Sequence, residues 1–241
     1  MAEPLQSGSM KIVNCLISTI ASCSLLACGG GGGDNPQAGP SPATVTVAFP
    51  LKSALSALAI SGYSRSFSVS GTCTGTAIFA RSPASPGAIF QGVAALSAVG
   101  TVTTNVTNCS PASSVARNTV YFDSNGVQLG FSSGNRFGVF TAPPSVPDSV
   151  AVGSTGLIGT ESLYTDSTKT MPTGRSELSY FVEPDTDATA IVNLIEKVYD
   201  PSNALLFTEQ QRARITPGGT LTLVSIDSQF STTATSHFIY Q

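Results

Sequence analysis

Apolar and polar residues alternate along most of the chain after residue 43, with the period of two that is typical of β-strands. Turn-forming residues separate the alternating segments at the spacing seen in antiparallel sheets. We expect strands near residues 67–73, 76–80, 88 onwards, 101–108, 157–164, 177–182, 190–199, 205–215 and 221–226. The pattern predicts a mainly β fold, arranged as an antiparallel meander, a sandwich or a partly closed barrel, with room for one or two short helices.

Two segments also show the spacing of an α-helix. Leu51, Leu55 and Leu58 recur at intervals of four and three residues, which predicts one or two helical turns. Apolar residues within 188–199 fit a helix as well, but their β-branched side chains and the tight turn that follows favour a strand. Both alternatives stay open for this second segment.

The clearest local signal is a hairpin at residues 120–127. Asn125 and Gly126 lie between two β-like runs. An Asn-Gly pair in this position favours a type I′ turn, because both of its central residues need φ > 0. We therefore predict a tight hairpin with this turn type.

The part of the chain that follows the N-terminal region is divided by a proline-rich break at residues 141–149. We place there the boundary between a first β half, residues 44–142, and a second β-meander half, residues 143–241. Together they are long enough for one β domain or for two small ones, each with its own core.

The N-terminal region has the layout of an export signal. Lys11 precedes an apolar run, and the small residue Ala27 closes it. The run is short and interrupted by serines, whereas a membrane span needs about 20 apolar residues. The residues before Met10 fit the signal poorly, since Glu3 is acidic, so we expect translation to start at Met10. The prediction is a signal peptide that ends at residue 27.

The end of this signal, Leu25-Leu26-Ala27-Cys28, resembles the lipobox of bacterial lipoproteins. The resemblance implies that the thiol of Cys28 receives a diacylglycerol, that the signal is cut before it, and that the new amino terminus is acylated. Two or three acyl chains hold a domain on a membrane essentially permanently, since each buried CH₂ contributes about 0.8 kcal/mol. By the sorting rule known for enteric bacteria, the glycine that follows implies the outer membrane.

A second cysteine competes for this role. Cys23 ends a segment, Ile20-Ala21-Ser22, that fits the same pattern, but the residues after it are still apolar. Cys28 is followed by five glycines and then by prolines, which form a tether over residues 28–43. We therefore favour Cys28 as the lipidation site.

The remaining cysteines predict a disulfide bond. Cys15 and Cys23 leave with the signal, so the mature chain keeps an even pair, Cys73 and Cys109, besides the acylated residue. In an oxidising compartment such a pair is typical of a disulfide, with a stabilisation of roughly 3–4 kcal/mol for a loop of this length. Two free thiols or a metal pair are the alternatives, and a metal site would need more soft ligands.

Composition argues against nucleic acid as a partner. The formal net charge is −3 and only 10% of the residues are charged, so no basic face exists to neutralise phosphates. Beyond the acyl chains that bind the membrane, an envelope protein or an apolar ligand is the partner that we expect.

Candidate catalytic residues are sparse. His237 is the only histidine and lies near the end of the chain, where it alternates like a strand residue. A glycosidase needs two carboxylates, for which the candidates are Glu177, Glu183, Glu196 and Glu209, but nothing in the sequence selects one pair. The acidic turns at 123–126 and 184–187 are explained by Asx turns without calcium. We predict no catalytic residues, no metal site and no cofactor.

The two halves together resemble small outer-membrane lipoproteins of Gram-negative bacteria, a group that supplies no functional residues to carry over. We expect a lipid-anchored envelope protein that is not an enzyme but a binding or structural module. The alternative is an envelope hydrolase that uses the scattered carboxylates. A carrier is expected to show an apolar cavity of roughly 300–1,000 Å³ between the sheet and a covering helix, and an enzyme to show carboxylates that converge in a polar cleft.

Overall fold

The computed structural model describes residues 47–231 and 236–241. The signal peptide, both candidate lipidation sites (Cys23 and Cys28) and the whole tether lie outside these residues. Within the described residues the chain forms one helix, α1 (Leu51–Ser61), and thirteen strands. The strands are β1 (Tyr63–Gly71), β2 (Thr74–Arg81), β3 (Ser85–Phe90), β4 (Val93–Thr107), β5 (Ser113–Phe122), β6 (Gln128–Ser133), β7 (Arg136–Phe140), β8 (Thr155–Tyr164), β9 (Pro172–Thr186), β10 (Thr189–Tyr199), β11 (Leu205–Ile215), β12 (Leu221–Phe230) and β13 (Ser236–Tyr240).

The prediction of a mainly β, antiparallel fold is confirmed. Twelve of the described strands form a closed barrel, and β3 lies outside the ring as an extra strand paired with β4. Strands β4 to β13 follow one another as a meander, β13 pairs with β1, and the pairing of β2 with β4 closes the ring. Closure leaves none of the twelve with an unpaired edge, which is how barrels avoid edge-to-edge association.

The segment with two possible structures is a strand. Residues 189–199 form β10, which pairs along its whole length with β9 and β11, and a central position between two partners suits β-branched residues. The break at 141–149 lies in the connection between β7 and β8, and strands from both halves of the sequence share the one barrel.

Helix α1 is longer than the one or two turns that the leucine spacing predicts, since it has eleven residues. It ends at Gly62, where φ is +68° and the amide donates to the carbonyl of Leu58 at 3.1 Å. A side chain at this glycine would place its Cβ 2.4 Å from the carbonyl oxygen of Arg81. The position therefore needs glycine both for its backbone conformation and for space.

The helix lies across one end of the barrel. Gly126 in the β5–β6 loop approaches Ser56 of α1, and Gly219 in the β11–β12 loop approaches Pro50 just before it. Leu51 and Ala54 are buried in one cluster with residues of the barrel interior (Ile158, Leu178, Tyr180, Val182, Ala190, Val192, Ala213, Ile215 and Leu221). The apolar side of α1 is thus the lid of the barrel core.

The predicted hairpin at 120–127 is present, but its predicted type I′ turn is wrong. Gly126 has a positive φ of 78°, whereas Asn125 does not. The carboxylate of Asp123 accepts hydrogen bonds from the amides of Asn125 and Val127, each at 2.8 Å. This Asx arrangement stabilises a longer loop with one left-handed residue, so the aspartate before the Asn-Gly pair decides the turn.

The two cysteines of the mature domain lie at disulfide-bonding distance. Cys73 follows β1 and Cys109 follows β4, and their Cα atoms are 5.8 Å apart. Since β1, β2 and β4 are neighbours, the pair ties together the strands that close the ring. None of the helices in the described part of the chain is both long and apolar enough to cross a membrane.

Candidate functional site

The inner face of the barrel carries three glutamates among apolar residues. On β10, Val192, Glu196 and Val198 are buried and share one face of the strand. On β11 the buried residues alternate in the same way (Phe207, Glu209, Gln211, Ala213 and Ile215). Glu161 of β8 occupies an equivalent inner position. These glutamates are 2–4% exposed, which is rare for carboxylates unless they are hydrogen-bonded or neutral.

Strand register brings the three carboxylates together. Glu196 and Glu209 are direct cross-strand partners, a relation in which Cβ atoms are typically about 5 Å apart. Glu161 is the partner of Ser176, whose hydroxyl donates a hydrogen bond to Glu196. The hydroxyl of Ser228 donates to Glu209 at 2.6 Å. We call these three glutamates the inner carboxylate cluster.

Burial shifts the pKa values of two members of this cluster upwards. Burial raises the pKa of Glu161 to about 7, although the hydrogen bond from Gln128 and the charge of Arg136 oppose the rise. Burial raises the pKa of Glu196 well above its ordinary value, and the charges of Glu161 and Glu209 raise it further. Burial thus favours the protonated form of Glu196.

A cavity of about 110 Å³ lies between α1 and the barrel wall. Its surface is mainly apolar, with the helix contributing Leu55, Leu58 and Ala59. The wall contributes apolar side chains from strands around the ring (Phe122, Phe140, Ile158, Leu178, Leu194, Ala213, Leu221 and Leu223). We call this space the helix cavity.

Two amides connect the helix cavity with the inner carboxylate cluster. Gln128 and Gln211 both line the cavity. The Nε2 of Gln128 donates to Glu161 at 3.2 Å, and the Nε2 of Gln211 donates to Glu209 at 3.3 Å. The amides thus separate the carboxylates from the cavity, which keeps an apolar surface with a few polar groups, as binding cavities typically have.

The other two candidate glutamates lie elsewhere. Glu177 and Glu183 point outwards from β9, where Glu177 pairs with Arg175 at 3.1 Å and Glu183 with Arg212 at 3.3 Å. The structure therefore brings together Glu196 and Glu209 and does not bring Glu177 or Glu183 to them. Glu161, which sequence reasoning missed, completes the cluster. Its inner position could have been inferred from Leu163, the buried residue two places later on the same strand.

The remaining candidate residues, His237 and the acidic loop at 184–187, form contacts with neighbouring strands. His237 lies in β13, as predicted for a strand residue, and its Nε2 is 2.8 Å from Asp227 on the neighbouring strand. In the loop at 184–187, Asp185 binds Arg214 at 2.6 Å and also accepts a hydrogen bond from the hydroxyl of Thr189. Among the described residues, no three histidine, cysteine or carboxylate side chains are grouped as metal ligands would be.

Comparisons of the chain with known proteins found no match. No family model matches the chain, and no curated protein or solved structure is significantly similar to it.

Proposed function

We propose that this protein is a lipid-anchored module of the bacterial outer membrane that acts by binding a small apolar ligand rather than by catalysis. The observation that carries the proposal is the helix cavity, a mainly apolar space between α1 and the barrel wall. The lipobox and the glycine-rich tether support the anchoring, and the paired cysteines suit an oxidising compartment.

The size of the cavity limits the ligand. At about 110 Å³ it is smaller than the cavity of roughly 300–1,000 Å³ that we expect for a carrier. It is also somewhat smaller than an engineered cavity of about 150 Å³ that binds benzene. The ligand is therefore a molecule, or one end of a molecule, with a few non-hydrogen atoms.

The lid supports binding because few of its residues are buried. Leu51, Ala54 and Ala59 are the only buried residues of α1. The helix also has no side-chain hydrogen bond at its N-terminal cap. An element with few buried contacts opens more readily than the barrel strands.

Native mass spectrometry of the processed protein, purified from its own envelope, tests the binding. We expect a bound molecule of low mass that is lost from the Ala213→Leu variant, in which the larger side chain fills the helix cavity. Ala77→Leu is the matched control, since Ala77 is equally buried but lies in a different core cluster. Retention of the molecule by the Ala213→Leu variant, or an empty wild-type protein, contradicts the proposal.

Mass spectrometry of the N-terminal peptide tests the anchor. We expect the mature chain to begin at an acylated Cys28, and Cys28→Ser to release the domain from membranes. Cys23→Ser should leave the domain in the membrane fraction. A mature chain that begins at Cys23 assigns the anchor to that residue instead, and a soluble product cut elsewhere rejects anchoring altogether.

The alternative function, an envelope hydrolase, is favoured by the inner carboxylate cluster. Glu196 and Glu209 face each other across neighbouring strands, and Glu161 has a pKa near neutrality, as a general acid requires. Against this alternative, all three side chains are almost fully buried and lie behind Gln128 and Gln211. A turnover that Glu196→Gln or Glu209→Gln abolishes with the fold intact would establish the hydrolase and reject the binding module.

A further inference from the structure

One cation in the wall of the helix cavity has no negative partner. Arg81, at the end of β2, lines the cavity and is half-buried. Within the part of the chain that the structure describes, it forms no ion pair. The other cation at the cavity, Lys52, pairs with Asp148 at 3.2 Å. Arg81 is thus the cavity's unneutralised charge.

Aromatic rings hold the guanidinium of Arg81. Its central carbon lies 5.2 Å from the ring centroid of Tyr63 and 5.9 Å from that of Phe122, and both rings line the same cavity. Cation–π contacts of this kind contribute roughly 0.5–2 kcal/mol and fix the plane of the group without neutralising it. The hydrogen-bond donors of the guanidinium therefore still lack an anion.

The neighbouring sequence supplies no such anion. From residue 47 to residue 122 the chain contains no aspartate or glutamate. This stretch includes α1 and the strands β1 to β5, so the helix and the strands next to Arg81 carry only positive or neutral side chains. A partly buried charge without a partner is costly, and an anion from outside the chain removes that cost.

We propose that the helix cavity binds a small apolar monoanion, such as a short branched-chain carboxylate. Its carboxylate binds the fork of Arg81, and its hydrocarbon part lies against Leu58 and Ala59 of α1. This inference rests on the proposed binding function and names the class of ligand. The planar guanidinium donates two parallel hydrogen bonds to a carboxylate. A carboxylate is therefore a better partner for Arg81 than a neutral amide or alcohol.

The surroundings favour one negative charge over two. A dianion such as phosphate needs several cationic or amide donors, whereas Arg81 is the single cation here without a carboxylate partner. The amides of Gln128 and Gln211 already donate to Glu161 and Glu209. The volume of about 110 Å³ accommodates a hydrocarbon part of a few carbons, smaller than the benzene that fits a cavity of about 150 Å³.

Calorimetric titration of the full-length processed protein tests this inference with two probes of nearly equal shape, 3-methylbutanoate and 3-methylbutanamide. We expect the carboxylate to bind at least about tenfold more tightly, because hydrogen bonds to a charged group contribute more than neutral ones. Arg81→Gln should abolish this preference. Arg65→Gln is the matched control, an exposed arginine on the adjacent strand that does not line the cavity.

The outcomes separate the ligand class from the proposed function. Equal affinity for the two probes, or a preference that persists in Arg81→Gln, overturns the anion site and leaves the binding cavity standing. Binding of neither probe overturns the anion site, and native mass spectrometry then decides the binding function by itself. The comparison of the two probes on the wild-type protein remains decisive even if Arg81→Gln fails to fold.

Discussion

Carboxylates on the inner and outer faces of neighbouring barrel strands have opposite environments. On the outer face of β9, Glu183 and Asp185 pair with Arg212 and Arg214 of β11 at 3.3 Å and 2.6 Å. On the inner face, Glu196 of β10 takes its hydrogen bond from a serine. Outside, water and arginines keep the carboxylates charged. Inside, burial raises the pKa values of Glu161 and Glu196 and so favours their protonated forms.

The pKa values express this difference. The hydrogen bond from Arg214 lowers the pKa of Asp185 to about 2, with Thr189 contributing in the same direction. Burial raises the pKa of Glu161 to about 7. Successive residues of a strand alternate between these environments, so moving one place along the chain changes the ionisation of a side chain.

The largest predicted effect is a loss of stability as pH rises from about 4.5 to about 7. An acid with a raised pKa stays protonated in the folded state at a pH where the unfolded chain has released the proton, so unfolding releases protons and high pH favours it. Glu161 alone is expected to lower the free energy of unfolding by about 3 kcal/mol across this window. The pKa of Glu196 is raised as well, so Glu196 contributes in the same direction.

Urea denaturation at pH 5 and pH 8 measures this effect. Asp185 does not interfere, because its stabilisation is lost only when the pH falls from about 3.8 towards about 2. Equal stability at pH 5 and pH 8, or greater stability at pH 8, shows that the inner glutamates are charged in the folded protein. That result contradicts the difference in ionisation between the two faces.

A smaller effect is expected when the charge of Glu196 is removed without changing its shape. In Glu196→Gln the amide oxygen still accepts the hydrogen bond from Ser176, and no proton is required for burial. We predict stabilisation of roughly 1–3 kcal/mol at pH 8, which decreases towards zero at pH 5. Denaturation midpoints of wild type and variant at both pH values measure this difference.

Glu183→Gln is the matched variant on the outer face. It loses the ion pair with Arg212, so we predict a slight destabilisation at pH 8 rather than a gain. A gain of stability from both substitutions, or from neither, would show that the face on which a glutamate lies does not decide its ionisation.

The smallest effect is expected from the ion pairs of the outer face. Arg214→Gln removes the partner of Asp185, and we predict a minor loss of stability that disappears in 1 M salt, where charges on the surface are screened within about 3 Å. Thermal unfolding at low and high salt measures it. A loss that persists in high salt means that the pair is held by packing or buried hydrogen bonds rather than by surface charge.

Local patterns in the sequence predict most of the strands and the lid. The alternation in 205–215 matches β11, and the leucine spacing predicts α1, although not its full length. Closure of the ring is not predictable in this way, because β1 and β13 meet across almost the whole described chain. Such pairing depends on the tilt and register of all the strands between them.

The candidate site is less predictable than the fold. Glu196 and Glu209 can be recognised in the sequence as carboxylates within apolar strands, but only the register shows that they are partners. The helix cavity is a gap between α1 and side chains from distant strands, so no local pattern encodes it. The unpaired state of Arg81 has one local sign, the absence of acidic residues from 47 to 122.

The most direct test of the binding function is a crystal structure at atomic resolution of the processed protein, purified from its own envelope without added ligand. We predict electron density for a small molecule in the helix cavity, between Leu58 of α1 and Gln211 of β11, with its polar end at Arg81. A cavity that contains only ordered water, or that side chains fill completely, would contradict the proposal.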